Sequence, residues 1–164
     1  GNIGYNIYPS VRHRPFIRWG DRMNYPAWWN KAVTLYNRFE DGEGAVKWYR
    51  TVLPGCFVKT VPALIISGNT GTEKPQTTVR IRKSENYVPS AEWLNDESKR
   101  NFGFTVQNED IIVIGNVTDD IDEYESGKRS DDFINKYKSA GCITVKSFSV
   151  NDFGALAHYK AVGI

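Results

Sequence analysis

Short segments in which apolar residues occupy alternate positions recur along this chain, and they restrict its fold more than any other feature. Val46, Trp48 and Val52 lie at even-numbered positions of one such segment, and Val79 and Ile81 alternate with polar residues in another. A period of two places apolar side chains on one face of a β-strand. The sequence therefore predicts a mainly β (α+β) fold.

Two further segments predict the central strand and the main helix. Ile111 to Ile114 is an uninterrupted apolar run, which is typical of a strand covered on both faces. Ser130 is followed by acidic residues and then by apolar residues at helical spacing, and Gly141 stands where that spacing stops. These signals predict one substantial helix that begins with Ser130 as its N-cap and ends at Gly141.

Turn residues divide the rest of the chain into short strands. Pro54-Gly55 predicts a chain reversal, and residues 68–75, rich in Gly and Thr, predict a polar loop. Strands over residues 142–150 and 156–162 then close the chain. About seven or eight strands with one substantial helix favour a small β-barrel or sandwich.

Residues 26–39 fit two kinds of secondary structure. Val33 and Leu35 alternate, which favours a strand. Trp28, Ala32, Leu35, Tyr36 and Phe39 also lie at helical spacing, with Gly42 as a stop signal. Periodicity favours the strand and leaves the helix open.

Composition excludes several classes of protein. The chain has 164 residues, the size of one domain, with 21 Lys and Arg against 19 Asp and Glu. With 40% hydrophobic residues it is neither disordered nor a bulk polycation. Its apolar runs are too short to span a membrane, and no targeting leader is recognised. Two cysteines without paired spacing argue against zinc and favour a reduced, cytosolic setting.

The amino-terminal residues 1–31 differ from the rest of the chain. Five basic residues against Asp21 give this segment a charge of +4, so residues 32–164 sum to −2. It combines prolines, tryptophans and arginines without periodicity, which predicts an extended basic and aromatic arm, followed by a single β-rich domain over 32–164. The candidate partner-binding residues of the arm are Arg12, Arg14, Phe16, Arg18, Trp19, Arg22, Trp28 and Trp29. Docking to a partner protein is favoured over self-docking and over nucleic-acid binding.

No catalytic, metal-binding or cofactor-binding residue is predicted. Cys56, Cys142 and His158 lie next to apolar residues, where buried structural side chains are expected. Residues 119–132 contain seven acids, but Tyr124 and Glu125 occupy positions where a calcium loop needs a ligand and a glycine. A solvated acidic loop is the better interpretation.

The order of several segments resembles small tailed-phage and prophage proteins of the head and neck genes, described as minor capsid or head-tail connector proteins. The similar segments are Val33 to Phe39, Tyr49 to Gly55, Phe104 to Gly115, Asp152 to Gly154 and His158 to Gly163. The chain departs from that pattern at Phe104, where Trp is usual, at Asn108-Glu109, where Pro-Gly is usual, and in its longer acidic loop. Residues 1–30 lie outside the resemblance.

The resemblance implies a structural virion protein of a tailed bacteriophage. Such a head-tail connector, or neck (head-completion) subunit, forms a ring-shaped homo-oligomer that joins the portal to the tail. The implied partners are portal, adaptor and tail proteins, with transient contact to DNA in the channel, no membrane, no cofactor and no enzymatic activity. The alternatives are a free-standing nucleic-acid-binding β-barrel module and a small enzyme built around His158.

Overall fold

The computed structural model describes residues 13–14, 25–68 and 70–164, which form seven strands and three helices. In chain order they are β1 (His13–Arg14), β2 (Lys31–Glu40), β3 (Val46–Ser67), β4 (Thr70–Arg82), α1 (Ser90–Asn95), α2 (Glu97–Phe102), β5 (Ile111–Ile114), α3 (Ser130–Gly141), β6 (Cys142–Asn151) and β7 (His158–Gly163). Six strands pair antiparallel in the order β3-β2-β5-β6-β7-β4, and β4 pairs with β3 to close a barrel. β1 pairs in parallel with β3 outside this ring.

The closed barrel confirms the prediction of a mainly β fold and selects the barrel over the sandwich. The predicted count of seven or eight strands with one substantial helix is not confirmed. In the described part of the chain six strands close the barrel, and two short helices, α1 and α2, accompany the longer α3.

Residues 31–40 form a strand, and the alternative helix over 26–39 is wrong. Val33 and Leu35 point into the barrel, whereas Tyr36 points outward beneath α3. Each of these side chains is fully buried, because β2 has an apolar environment on both faces. A strand covered on both faces carries apolar residues at adjacent positions, and such a run also matches helical spacing.

Two hydrophobic clusters explain the burial on both sides of the barrel wall. The barrel core is made of Val33, Leu35, Leu53, Cys56, Val79, Ile81, Phe104, Val106, Ile112, Ile143, Val145, Tyr159 and Ala161. The outer core, between the wall and α3, is made of Tyr36, Trp48, Ile111, Val113, Val117, Ile121 and Phe133. In β5, Ile112 belongs to the first cluster and its two neighbours to the second. The prediction of a central strand covered on both faces is confirmed.

The predicted reversal at Pro54-Gly55 is wrong, because both residues lie within β3, a single strand of 22 residues. Gly55 has a positive φ of 67°, and the pairing of β2 with β3 shifts register beside it. A residue in this conformation makes a bulge that bends a strand without ending it. The carbonyl of Gly55 accepts a hydrogen bond from Arg82 Nε at 2.8 Å, which ties the bend to β4.

The predicted loop over residues 68–75 is also wrong. β4 begins at Thr70 and pairs with β3 from Ser67↔Thr70 to Phe57↔Arg80. The chain reverses at Gly68, which has a positive φ of 63°. A two-residue reversal of this kind makes a tight hairpin. We call residues 61–67 and 70–76 the ribbon.

A helix lies where the sequence predicted the substantial one, although its start differs in detail. α3 spans Ser130–Gly141 and ends where Gly141 has a positive φ of 94°. Its N-cap is Arg129, whose backbone N–H donates to Asp132, so Ser130 is not the cap. In the described part of the chain, no helix is both long and apolar enough to cross a membrane.

Candidate functional site

Both cysteines are free thiols in environments that keep them protonated. Burial raises the pKa of Cys56 to about 12 and that of Cys142 to about 11. A nucleophilic cysteine needs the opposite shift, since the thiolate is the reactive form. Their surroundings therefore suit packing rather than covalent chemistry.

His158 is held by three hydrogen bonds at the start of β7. Its Nδ1 lies 2.6 Å from the backbone oxygen of Leu156, an arrangement in which Nδ1 carries the proton. Its Nε2 then accepts from Arg80 Nη1 at 2.7 Å and from Asn151 Nδ2 at 3.0 Å. With both ring nitrogens engaged and 9% of the residue exposed, this imidazole has the geometry of a structural side chain.

The acidic segment, residues 119–132, is anchored to the barrel by donors at its start. Tyr36 donates its hydroxyl proton to the backbone oxygen of Asp119, and Trp48 Nε1 donates to Glu123. The Asp119 carboxylate accepts from Lys136 and Tyr137, and these hydrogen bonds lower its pKa. Among the described residues no cluster of histidine, cysteine and acidic side chains is suited to hold a metal ion.

The far end of the acidic segment faces solvent. Tyr124 is 68% exposed although its hydroxyl oxygen accepts from the backbone N–H of Val46. Glu125, next to it in the chain, and Asp131 and Asp132, at the end of the segment, are also exposed. Tyrosine is enriched at protein interfaces, and exposed carboxylates add charge that a basic surface can complement.

Residues 25–29 pack on the barrel at one end of the molecule. The Tyr25 hydroxyl donates to the backbone oxygen of Ala157 and accepts from the backbone N–H of Lys83. The Trp29 ring lies edge-on to His158, with 5.6 Å between ring centroids, and is tilted against Phe57. Arg82 donates to the Trp29 backbone oxygen at 3.0 Å.

The candidate arm residues are distributed as follows. Trp29 is 5% exposed and packs on its own barrel, as in the self-docking alternative, whereas the adjacent Trp28 is 66% exposed. Arg14 is described only as the second residue of β1. Arg12, Phe16, Arg18, Trp19 and Arg22 lie outside the described residues. Trp28 and Trp29 are therefore the candidate arm residues whose side chains the structure describes.

Exposed apolar side chains accompany Trp28 at this end of the barrel. The connection from β6 to β7 carries Phe153, which is 88% exposed, and Leu156, which is 43% exposed. Val150, at the end of β6, is 44% exposed. We call these three residues and Trp28 the end patch. Contiguous patches of exposed apolar groups are typical of interaction surfaces.

The ribbon is the second feature with the properties of a docking element. Within the described residues, β4 pairs with β7 only from Thr77 onward, and β2 pairs with β3 only up to Cys56. Residues 61–67 and 70–76 therefore pair only with each other. Seven residues per strand extend roughly 20 Å at about 3.3 Å per residue.

A groove lies where the base of the ribbon approaches the carboxyl end of α3. It has a volume of about 740 Å³ and is lined by three exposed lysines, Lys74, Lys138 and Lys146, together with apolar side chains. Ile114, Cys142 and Ile143 are among those apolar residues, and none of the described residues that line it is acidic. We call it the lysine groove. Lys146 Nζ also forms a salt bridge with Glu109 Oε1 at 3.0 Å, and Glu109 is not one of the described residues that line the groove.

The sequence analysis did not predict the ribbon, the end patch or the lysine groove. The groove combines residues from β4, α3 and β6, which are far apart in the chain, so no local spacing marks it. The ribbon had one usable signal, since Gly68-Asn69 is a pair that favours two-residue hairpins. The surrounding Thr, Gly and Pro residues concealed it by indicating a loop.

Comparison with protein-family models places most of the chain in a family. Residues 28–164 match the model described as "Family of unknown function (DUF6751)". No curated protein and no solved structure matches the chain. The matched region includes the barrel, the ribbon, the lysine groove and the end patch.

Proposed function

We propose that this chain, which belongs to the DUF6751 family because that family's model matches well over half of it, is a structural subunit of a tailed-phage virion. It acts as a ring-forming head-tail connector, or neck (head-completion) protein, between portal and tail. The observation that carries the proposal is the ribbon, whose strands pair only with each other among the described residues. The resemblance of the segment order to minor capsid and connector proteins gives the specific setting.

The ribbon supports an assembly role because of its open edges. Each strand of a two-stranded ribbon leaves a row of N–H and C=O groups without a ladder partner. Proteins that act as monomers usually shorten or cover such edges, and an isolated hairpin is only marginally stable in water. A partner strand added to this ribbon would satisfy the edge groups, which is a common mode of recognition between proteins.

The sequence of the ribbon favours pairing at its distal part. Pro62 and Pro75 face each other at its base, and proline cannot donate to a strand ladder. Beyond them, residues 63–67 contain no proline and include the apolar run Ala63-Leu64-Ile65-Ile66. An apolar segment without proline has the composition that favours pairing with a further strand.

The end patch adds a separate contact surface. A subunit of a cyclic ring that also bridges two other structures needs different surfaces for its neighbours and for the parts above and below. The ribbon, the end patch and the acidic segment are three surfaces of different chemistry on one barrel. The thiols and the imidazole have the environments of packing residues, which does not favour the enzyme alternative.

Localisation in the virion tests the proposal. Virions of the phage or prophage that encodes the chain are labelled with antibody against this protein and viewed by negative-stain electron microscopy. We expect label at the neck between head and tail. Label that is found only in the host lysate, and never on particles, would overturn the virion assignment.

A shortened ribbon tests the observation that carries the proposal. Replacing residues 63–74 with Asn-Gly joins Pro62 to Pro75 by a tight turn and leaves the barrel pairing intact. We expect this variant to fold cooperatively but to fail to complement a phage that lacks the gene. Normal complementation would show that the ribbon has no role in assembly.

Nucleic-acid binding separates the proposal from its main alternative. A free-standing nucleic-acid-binding barrel retains DNA or RNA as a monomer, with an affinity that falls steeply as salt increases. We expect fluorescence anisotropy with labelled duplex and single strands to show no tight binding at physiological salt. Tight, salt-dependent binding by the monomer would favour the alternative.

A further inference from the structure

The two ends of α3 carry surfaces of opposite charge. The acidic segment, which overlaps its start, has seven acids and two bases. The lysine groove at its carboxyl end is lined by three lysines, and none of its described lining side chains is acidic. α3 has 12 residues and is roughly 18 Å long at about 1.5 Å per residue. The acidic segment includes its first three residues, and the groove is lined from its last turn by Lys138, Ser139 and Gly141. A molecule with complementary surfaces at opposite ends is suited to join copies of itself head to tail.

We propose that the acidic segment of one copy docks in the lysine groove of the next copy. This inference rests on the proposed ring-forming function and identifies the surfaces that join neighbouring subunits. The contact is heterologous: each copy contributes its acidic segment to one neighbour and its groove to the other. Such a contact forms a closed ring when its rotation closes.

The groove and the segment also match in their apolar parts. Tyr124 is 68% exposed at the solvent end of the acidic segment, and Ile114, Cys142 and Ile143 contribute apolar lining to the groove. Tyrosine is a frequent anchor of protein interfaces, since its ring fills an apolar site while its hydroxyl stays polar. Its flanking acids Glu123 and Glu125 supply the charge that lysines attract.

Several of the charges on both surfaces remain available for this contact. Lys74, Lys138 and Asp131 are exposed and have no ion-pair partner among the residues that the structure describes. Glu125 is paired only with Lys128, and both side chains are 53% exposed. Exposed pairs of this kind contribute little and exchange readily for a neighbour's charge.

Charge and lining argue against two other occupants of the groove. Residues 1–24 carry four arginines against one aspartate, so lysines would repel the chain's own amino-terminal segment. Among the described residues of the lining, a nucleic acid would meet three lysines and no arginine or aromatic side chain. Stacking and bidentate phosphate contacts, which are typical of nucleic-acid grooves, are therefore missing from this one.

A charge-swap experiment tests the contact. The groove variant combines Lys74→Glu with Lys138→Glu, and the segment variant combines Glu125→Lys with Asp131→Lys. Oligomeric state is measured by light scattering and native mass spectrometry over a range of protein concentrations. We expect wild-type protein to self-associate and each variant alone to associate on the order of a hundredfold more weakly, because like charges then face each other.

An equimolar mixture of the two variants provides the decisive measurement. The groove of the segment variant is unchanged and can bind the unchanged acidic segment of the groove variant. The new glutamates of the groove variant can in turn pair with the new lysines of the segment variant. We expect the mixture to regain association with the two variants alternating. The matched control combines Lys47→Glu with Glu85→Lys at exposed positions outside both surfaces, and it should associate like wild type.

The contrary outcomes separate this contact from the proposed function. If both variants assemble like wild type, the contact is overturned, while label at the neck would still support the virion assignment. Wild-type protein that stays monomeric at every concentration overturns the contact, as does a mixture that fails to associate. Binding of duplex DNA that the groove variant loses, without self-association, would assign the groove to nucleic acid. Absence of label from the neck removes the connector function whatever the mixture shows.

Discussion

Asn37 Nδ2 donates a hydrogen bond to the Asp110 carboxylate over 2.7 Å, and both residues are fully buried. The same amide donates to the backbone oxygen of Thr105 at 2.6 Å. Asp110 also accepts from the backbone N–H groups of Arg38 and Gln107, at 2.9 and 2.8 Å. These two polar side chains therefore attach the segment before β5 to the middle of β2.

Replacing Asn37 with Leu should destabilise the fold. The variant removes the amide that donates to the Asp110 carboxylate and to the Thr105 backbone oxygen. Both acceptors then stay buried without this hydrogen bond, and the free energy of unfolding should fall by about 2–3 kcal/mol. Urea unfolding followed by circular dichroism measures the change. The exposed Asn116→Leu is the control and should remain within about 0.5 kcal/mol of wild type. Equal midpoints for Asn37→Leu and wild type would show that the network adds no stability.

The titration of Asp110 predicts the pH dependence of stability. Burial raises the pKa of Asp110 from 3.8 to about 7, against the opposing effect of its hydrogen bonds. Between these two values the folded protein binds a proton that the unfolded chain does not. The free energy of unfolding should therefore fall by on the order of a few kcal/mol as pH rises from about 4 to about 7, and level off above.

Urea titrations at pH 5 and pH 8 with wild type and Asp110→Asn measure this contribution. Asparagine does not titrate, so the variant should lack the part of the slope that Asp110 causes, even if it is less stable at both values. The same slope in both proteins would assign the pH dependence to other groups.

A charge in β5 should abolish folding. Ile112 and Val113 are fully buried on opposite sides of the barrel wall, in the barrel core and the outer core. Ile112→Asp or Val113→Asp places an unpaired carboxylate in an apolar site, at a cost of several kcal/mol that is comparable with the total stability of a domain. Val150→Asp, at a position 44% exposed on β6, is the control that should fold. Soluble, cooperatively melting material from both β5 variants would refute the assignment of a doubly covered strand.

Trp28 and Trp29 provide a matched pair of adjacent tryptophans. Trp29→Ala removes a ring that is 5% exposed and packed on Phe57 and His158, and should cost about 3–5 kcal/mol of stability. Trp28→Ala changes a side chain that is 66% exposed and should leave the thermal midpoint nearly unchanged. If the end patch docks on a partner, Trp28→Ala should instead impair phage assembly. Similar thermal midpoints for both variants would contradict the self-docked position of Trp29.

Sequence patterns located the elements whose buried apolar residues recur at regular spacing or form a continuous run. Ile111–Ile114 and the helix that ends at Gly141 were predicted correctly, since burial on both faces and a glycine after an apolar stripe are local signals. The errors at Gly55 and at residues 68–75 have one cause. Glycine and proline permit a reversal, a bulge or an exposed strand, and only the partner strand decides which of these forms.

The sequence by itself determined that this protein is mainly β, because alternating apolar residues can be buried together only on the faces of strands. Closure of the barrel was decided by tertiary structure, through the long pairing of β3 with β4 that runs from Phe57↔Arg80 to the ribbon tip. The lysine groove and the Asn37–Asp110 network also depend on the tertiary structure. Their residues are distant in the chain, and the contacts that define them exist only after the barrel has brought those strands together.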